Sequence, residues 1–339
     1  MRKHMVILLV IGFSLLSVFE VLAAESNVIR VTTWGGSYKA TYEKVVPLFE
    51  KEYDAKVEWH VGSNQSFMVQ ARMGQVDVVT NTILQSTEGE MEGLWAELDP
   101  KKIPNMANLF KVAKHSKYTI YANVGPYNLI YNSKHIKTPP TSWDDLWNPA
   151  YKNRVILYPF HSVGTTCLFI LAAQQRGGGI DNIEPGLNRL AELQKSGNLI
   201  GMPAGESEMI SLYELEEAWI GPLTNGRVKD LWNKGASFMK IVRPKPTFGM
   251  ITAMNVVKTS KNLDLAMKFV NFALGVACQE AYAKFNLYAP TVNNVKVPPE
   301  VTDLMLNEAD MNRLFLVDWV TVNKVRAQWE ERWNKMTSK

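Results

Sequence analysis

Three hydroxyl residues surround one glycine in Ser162-Val163-Gly164-Thr165-Thr166, between a predicted strand at Val155–Tyr158 and a predicted helix from Gly164 to about Gln175. Hydroxyls and unpaired N–H groups at a helix start form a site for an anion, helped by the helix dipole. Simple capping by Ser162 or Thr165 is the other reading; a cap needs one such residue, and three are present. A second cluster, Trp34-Gly35-Gly36-Ser37-Tyr38, follows a predicted strand at Val28–Thr33. Its glycines free backbone N–H groups to face a ligand, and its rings can stack on an apolar body or an ammonium. In open α/β sheets ligands sit at strand ends and the loops that follow. That rule adds Thr82, Tyr127 and Tyr288, so the expected ligand-binding set is Trp34, Gly36, Ser37, Tyr38, Thr82, Tyr127, Ser162, Gly164, Thr165, Thr166 and Tyr288. Glu206 and Glu208, in a loop before a predicted helix, either receive an amine or lie exposed; both readings stay open.

Other chemistry finds little support. Gly-x-Ser-x-Gly, His-Glu-x-x-His, Cys-x-x-Cys and a phosphate loop are absent, so no enzyme is expected. The histidines His4, His60, His115, His135 and His161 show no ligand spacing, and neither metal nor cofactor is expected; His161 alone lies beside the proposed cleft, as a polar neighbour. Cys167 and Cys278 fall in apolar helical stretches and read as buried thiols, with a disulfide as the alternative.

These residues need a scaffold, and the chain is long enough for one. Its 339 residues, 46% hydrophobic and 21% charged, are those of a globular protein with a proper core. Arg2, Lys3 and His4, the apolar run Val6 to Phe19, and Val21-Leu22-Ala23-Ala24 read as a cleaved export signal, residues 1–24. No lipobox cysteine stands near Ala23, which favours a freely soluble exported form; the periplasm is the expected compartment and a monomer the default. The formal charge of +4 falls to +3 without Arg2, Lys3 and Glu20, and no basic stripe exists to hold nucleic acid.

Strands and helices alternate almost throughout, which predicts an α/β fold with largely parallel sheets. The first strand leads to a helix from about Lys39 to Glu52, and Lys56–Val61 gives a second strand. A helix through Met68 and Met73 precedes a third strand at Val76–Thr80, and Ser86–Trp95 is helical. Thr119–Tyr131 is extended, broken by Gly125-Pro126. Further on are helices at Ile183–Lys195, after Gly205 and at Asn225–Lys234, with strands near Ala218, at Ser237–Val242 and at Phe248–Val257. One long helix, Leu263–Phe285, carries an apolar face of Leu265, Phe269, Phe272 and Val276; Val320–Met336 forms an amphipathic tail. Extended segments at Tyr127–Tyr131 and Pro244–Phe248 are the best places for the chain to cross between two lobes.

Local motifs carry a family resemblance. Thr141-Ser142-Trp143-Asp144-Asp145-Leu146-Trp147, with Pro149, Tyr151 and Lys152, resembles the signature after the first crossover of spermidine/putrescine-type solute-binding proteins, the extracellular receptors of ABC importers. Trp34–Tyr38, Asp77-Val78-Val79, Gly125–Asn132, Tyr288-Ala289-Pro290-Thr291 and Trp329–Asn334 fit the same family. The resemblance implies a type II periplasmic-binding-protein fold, each lobe a mostly parallel sheet with flanking helices. Lobe one would be 28–128 plus 248–295, and lobe two 129–247 plus 296–339. It also implies a small-molecule solute and an inner-membrane ABC permease as partners.

Polyamine members place acids at the start of the helix that here begins near Gly164, and a Trp and an Asp on the crossing strand. This chain is neutral at the first place, has Phe248-Gly249-Met250-Ile251 at the second, and shows Val320 beside Trp319 in place of a polar residue. A diamine without carboxylates would be poorly paired. The expected solute is therefore a small zwitterion or anion, such as an amino-acid derivative, opine or phosphonate; a polyamine is the alternative. The iron(III)-binding relatives use an adjacent tyrosine pair, which is absent here. Trp143, Trp147, Trp329 and Trp333 read as packing, and Asp77 as a backbone cap. Glu88, Glu90, Glu92 and Glu97 read as a solvated face or a docking surface for the permease.

Overall fold

Arg30 and Asp77 show how the first strands are joined. The computed structural model describes residues 27–338; the export signal read at 1–24 lies outside them. In chain order the elements are β1 (Val28–Thr33), α1 (Ser37–Tyr53), β2 (Lys56–Val61), α2 (Asn64–Arg72), β3 (Val78–Thr82), α3 (Ile83–Met91) and β4 (Ile120–Asn132). After short 3-10 turns at Trp143–Trp147 and Pro149–Tyr151 come β5 (Val155–Ile156), α4 (Val163–Gln175), α5 (Glu184–Lys195), β6 (Leu199–Gly201), α6 (Glu206–Glu214), β7 (Ile220–Thr224) and α7 (Asn225–Asn233). The chain then runs through β8 (Met239–Val242), β9 (Phe248–Val256), α8 (Leu263–Ala273), α9 (Val276–Asn286) and β10 (Ala289–Pro290), to α10 (Pro299–Thr302), α11 (Glu308–Met311) and α12 (Trp319–Thr337).

The sheet order is β2-β1-β3-β9-β4-β7-β5-β6, with β8 and β10 also on β4. The outer strands of each side pair in parallel, β1 with β2 and β3, β5 with β6 and β7; pairings of β4 and β9 are antiparallel. Strand β4 is therefore shared: its first half lies along β9, and its second half along β7 and β8. The hand-over falls at Tyr127, which faces both Phe248 and Thr224. The expected break at Gly125-Pro126 is not one, and the strand runs through. Gly125 is needed because the Tyr288 ring lies against it; a Cβ there would come within 2.6 Å of that ring.

Helix α3 runs over Ile83–Met91 and not Ser86–Trp95, β5 stops at Ile156, and β8 starts at Met239; two further differences have clear reasons. Strand β3 extends to Thr82 because Thr80, Asn81 and Thr82, polar enough to suggest a loop, are buried in the ladder with β9. The long helix is two helices, since Gly275 adopts extended backbone as the N-cap of α9. Val276 is consequently 40% exposed and not part of an apolar face.

Trp143 is buried and stacks on Phe248, Trp147 is half-buried beneath Arg189, and Trp329 and Trp333 pack on Phe169 and Phe160. Helix α7, placed in lobe two by sequence, also packs on α1 and α9. Cys167 and Cys278 are buried free thiols. The acidic stretch is laced with ion pairs and hydrogen bonds, with Glu92 and Glu97 exposed. Arg72 holds Glu88 and Glu92, Arg326 holds Glu88, Lys117 holds Glu97, and Glu90 accepts from Ser116 and Thr119. Asp77 does bond backbone, but across strands: it accepts from the Arg30 amide at 2.9 Å, twice from the Arg30 guanidinium, and from Ser260 at 2.7 Å.

Candidate ligand-binding cleft

A cavity of about 440 Å³ opens where β4 changes partners. Six helices begin at its wall. Their N-caps are Gly36, Ser63, Thr82, Ser162, Gly205 and Thr224, for α1, α2, α3, α4, α6 and α7, and all six line it. Ser63 and Ser162 cap their own helices, whereas Gly36, Thr82, Gly205 and Thr224 make no side-chain cap bond. Four uncapped helix starts therefore face one space, each with the positive end of its dipole toward it.

Of the expected residues, Trp34, Gly36, Ser37, Tyr38, Thr82, Tyr127, Ser162 and Tyr288 line the cavity. Gly164, Thr165 and Thr166 do not. Ser162 Oγ accepts from the Thr165 amide at 3.2 Å, and the Thr165 hydroxyl donates to the Tyr158 carbonyl at 2.8 Å. Thr166 is buried, and Gly164 lies beneath the Tyr127 ring. The three hydroxyls expected to hold an anion thus serve the helix start and the core, apart from the side of Ser162 that borders the cavity.

The charge in the wall comes from elsewhere. Arg227, in the first turn of α7, lines the cavity with its side chain 16% exposed. Its Nε donates to Glu206 Oε2 at 2.6 Å and its Nη1 to Asp230 Oδ2 at 3.0 Å, and Asp230 also accepts from Ser37 at 3.2 Å. Burial works against its charge, but Glu206 foremost, with Tyr288 and Asp230, raises its pKa above the ordinary value. Gly36, at φ 66°, gives it room: a Cβ there would stand 2.8 Å from Nη1. Of the pair Glu206 and Glu208, Glu206 lines the cavity and Glu208 is exposed beyond it.

Aromatic rings make up much of the remaining wall. Trp34 stands edge-on to Tyr38, their centres 5.0 Å apart, and its indole N–H donates to Asn64 at 2.9 Å. Tyr127 and Tyr158 are likewise edge to face. Burial pushes the Tyr288 hydroxyl up to about 12 and Tyr38, Tyr127 and Tyr158 further, so all four are neutral donors at physiological pH. Gln85, buried and tied to the Thr82 hydroxyl, adds an amide. His161 borders the cavity at its outer side, 42% exposed.

Arg227, Tyr158, Asn64 and Gln85 were missed in the sequence. Arg227 alone carried a signal: a cation in the first turn of a helix opposes the dipole, and it stands just past a strand end. Among the described residues, no group of His, Cys, Asp and Glu could hold a metal ion, and no helix is long and apolar enough to cross a membrane.

Known proteins share the fold. The chain is 25% identical over 299 residues to spermidine/putrescine-binding periplasmic protein 1 of Haemophilus influenzae, covering 83% of this chain and 80% of that protein. An ABC transporter substrate-binding protein of Bradyrhizobium japonicum USDA 110 superposes with a TM-score of 0.77 at 20% identity, over 91% of this chain and 99% of that one. The binding protein AgtB of A. tumefaciens R10, in complex with agropinic acid, gives 0.75 at 19% identity, over 92% and 99%. These structures share the two-lobed type II periplasmic-binding-protein fold. The profile of one family, described as bacterial extracellular solute-binding protein, matches residues 87–314. Folded around a cleft at its crossing strands, this chain belongs to the bacterial extracellular solute-binding protein family, the solute-binding component of ABC transporters.

Proposed function

We propose that the protein captures a small zwitterionic solute in the periplasm and delivers it, as a monomer, to an inner-membrane ABC permease. The observation that carries this reading is the largely buried Arg227 guanidinium in a cavity wall that also holds Glu206. Arg227 and the uncapped helix starts suit a carboxylate, while Glu206 and the rings of Trp34, Tyr127 and Tyr158 suit an ammonium. Ser37, Thr82 and Tyr288 supply polar edges, and Ser162 borders the site from α4.

Lobes 28–128 plus 248–295 and 129–247 plus 296–339 close on the solute. A solute touching both favours the closed state by its difference in affinity, and closure is what the permease reads. No reaction is required.

Polyamine capture is the second reading, favoured by the aromatic wall, by Glu206 in it, and by the name of the Haemophilus relative. Arg227 weighs against it, because one end of a diamine would face a buried guanidinium of like charge. Small-angle scattering with polyamines, amino acids, opine-type conjugates, phosphonates and sugar phosphates tests capture by closure. The expected result is saturable compaction with a zwitterionic member and no consumption of it. No compaction with any member, or formation of a product, would overturn the reading.

A further inference from the structure

Helix α12 touches both lobes through contacts of different kinds. Its first half, in which Trp319 and Val322 are buried, meets lobe one through Asn323, whose Nδ2 donates to the Leu84 carbonyl at 3.0 Å, and Arg326, which pairs with Glu88 at 2.7 Å. Its second half meets lobe two. Trp329 stands edge-on to Phe169, Trp333 lies parallel to Phe160 with centres 5.4 Å apart, and Arg332 pairs with Glu184. Leu84 adjoins Gln85 and Phe160 adjoins His161, which line the cavity from lobes one and two. The helix therefore connects the two walls independently of the crossing strands.

The two attachments differ in how easily they part. Trp329 and Trp333 are buried, and separating their stacked rings would expose large apolar faces to water. The Arg326–Glu88 pair is partly exposed, and such pairs contribute little. Glu88 would not be left alone by its loss, because Arg72 also binds it at 2.9 Å. Asn323 Oδ1 is buried with no partner, a cost that water would relieve if the helix lifted from lobe one.

We propose that α12 is a tie that moves with lobe two and releases lobe one when the cleft opens. Asn323 and Arg326 are then positioning residues for solute capture, although neither lines the cavity. The proposal rests on the reading of the cleft as one that opens and closes.

Spin-label distances in the solute-free protein test it. Native Cys167 and Cys278 are buried, so labels go on exposed sites by pairing Gln328→Cys with Met91→Cys on α3, or with Gln194→Cys on α5. The α12–α5 distance should be single and narrow. The α12–α3 distance should have a longer second population, increased about two- to fivefold by Arg326→Ala and restored by Arg326→Lys. A merely structural role would shift melting temperature without moving these populations. A broad α12–α5 distance with a fixed α12–α3 one, or two narrow distances that Arg326→Ala leaves unchanged, would overturn the proposal. Because no solute is added, an error in the proposed solute class leaves this result standing.

Discussion

Two guanidinium–carboxylate groups in this molecule use the same chemistry for opposite ends. Between β1 and the start of β3, Arg30 meets Asp77 through side-chain bonds, and the Arg30 amide and Ser260 fill the rest of a carboxylate that is fully buried. In the cleft, Arg227 is shared between Glu206 and Asp230, yet it borders a cavity and Glu206 is 36% exposed. The Asp77 carboxylate has used its hydrogen-bonding capacity inside the fold. The second borders open space and keeps a hydrated partner that can exchange. An ion pair is structural where its donors and acceptors are consumed, and available for recognition where they are not.

The comparison breaks if the two sites respond alike to mutation. Arg227→Met should weaken solute binding roughly 100- to 1,000-fold in calorimetric titration, since it removes one partner of a desolvated charge group. Its effect on melting should be smaller than that of Asp77→Ala, because Glu206 can hydrate. Asp77→Ala removes a fully buried acceptor, leaving the Arg30 amide and the Ser260 hydroxyl unpaired, and should cost roughly 2 kcal/mol in denaturant unfolding, with solute affinity unchanged.

Asp77 also fixes an acid limit. Burial would raise its carboxyl, but the Arg30 side chain and amide with Ser260 hold it below the ordinary value. Its contribution is therefore complete above the unfolded value near pH 4 and is lost as pH falls through the lower folded one. Melting temperature followed from about pH 5 downward should fall in the wild type and be flatter in Asp77→Asn.

Glu206→Gln sharpens the cleft side of the comparison. It should reduce binding of the zwitterion about tenfold in competitive titration and narrow the gap between the zwitterion and its amine-free analogue. The smallest effect belongs to Ser162→Ala. Loss of the α4 cap should cost about 1 kcal/mol in unfolding, with affinity nearly unchanged.

The same contrast explains what the sequence disclosed. Val28–Thr33 and Lys56–Val61 were legible to the residue because apolar alternation and flanking turn residues are local signals. Eight of the expected site residues reach the cavity because strand ends in an open sheet are local too. Thr165 failed because its hydroxyl finds the Tyr158 carbonyl, a contact set by the turn into α4 and not by residue type. The role of Arg227 was not legible because its partner Glu206 comes from a distant segment, and Asp230, which it also binds, is held by Ser37 from another. Residue types mark where a ligand can sit; which hydroxyls and charges remain free is decided only when the chain has folded.

The central claim is that the cleft selects a molecule carrying both signs of charge. Calorimetric titration of the wild-type protein with a matched series answers it directly: amino acids and opine-type conjugates, the corresponding acids without the amine, and putrescine and spermidine. The account predicts that the tightest ligand bears both a carboxylate and an ammonium. Tight binding of putrescine or spermidine, with no zwitterion bound, would contradict it.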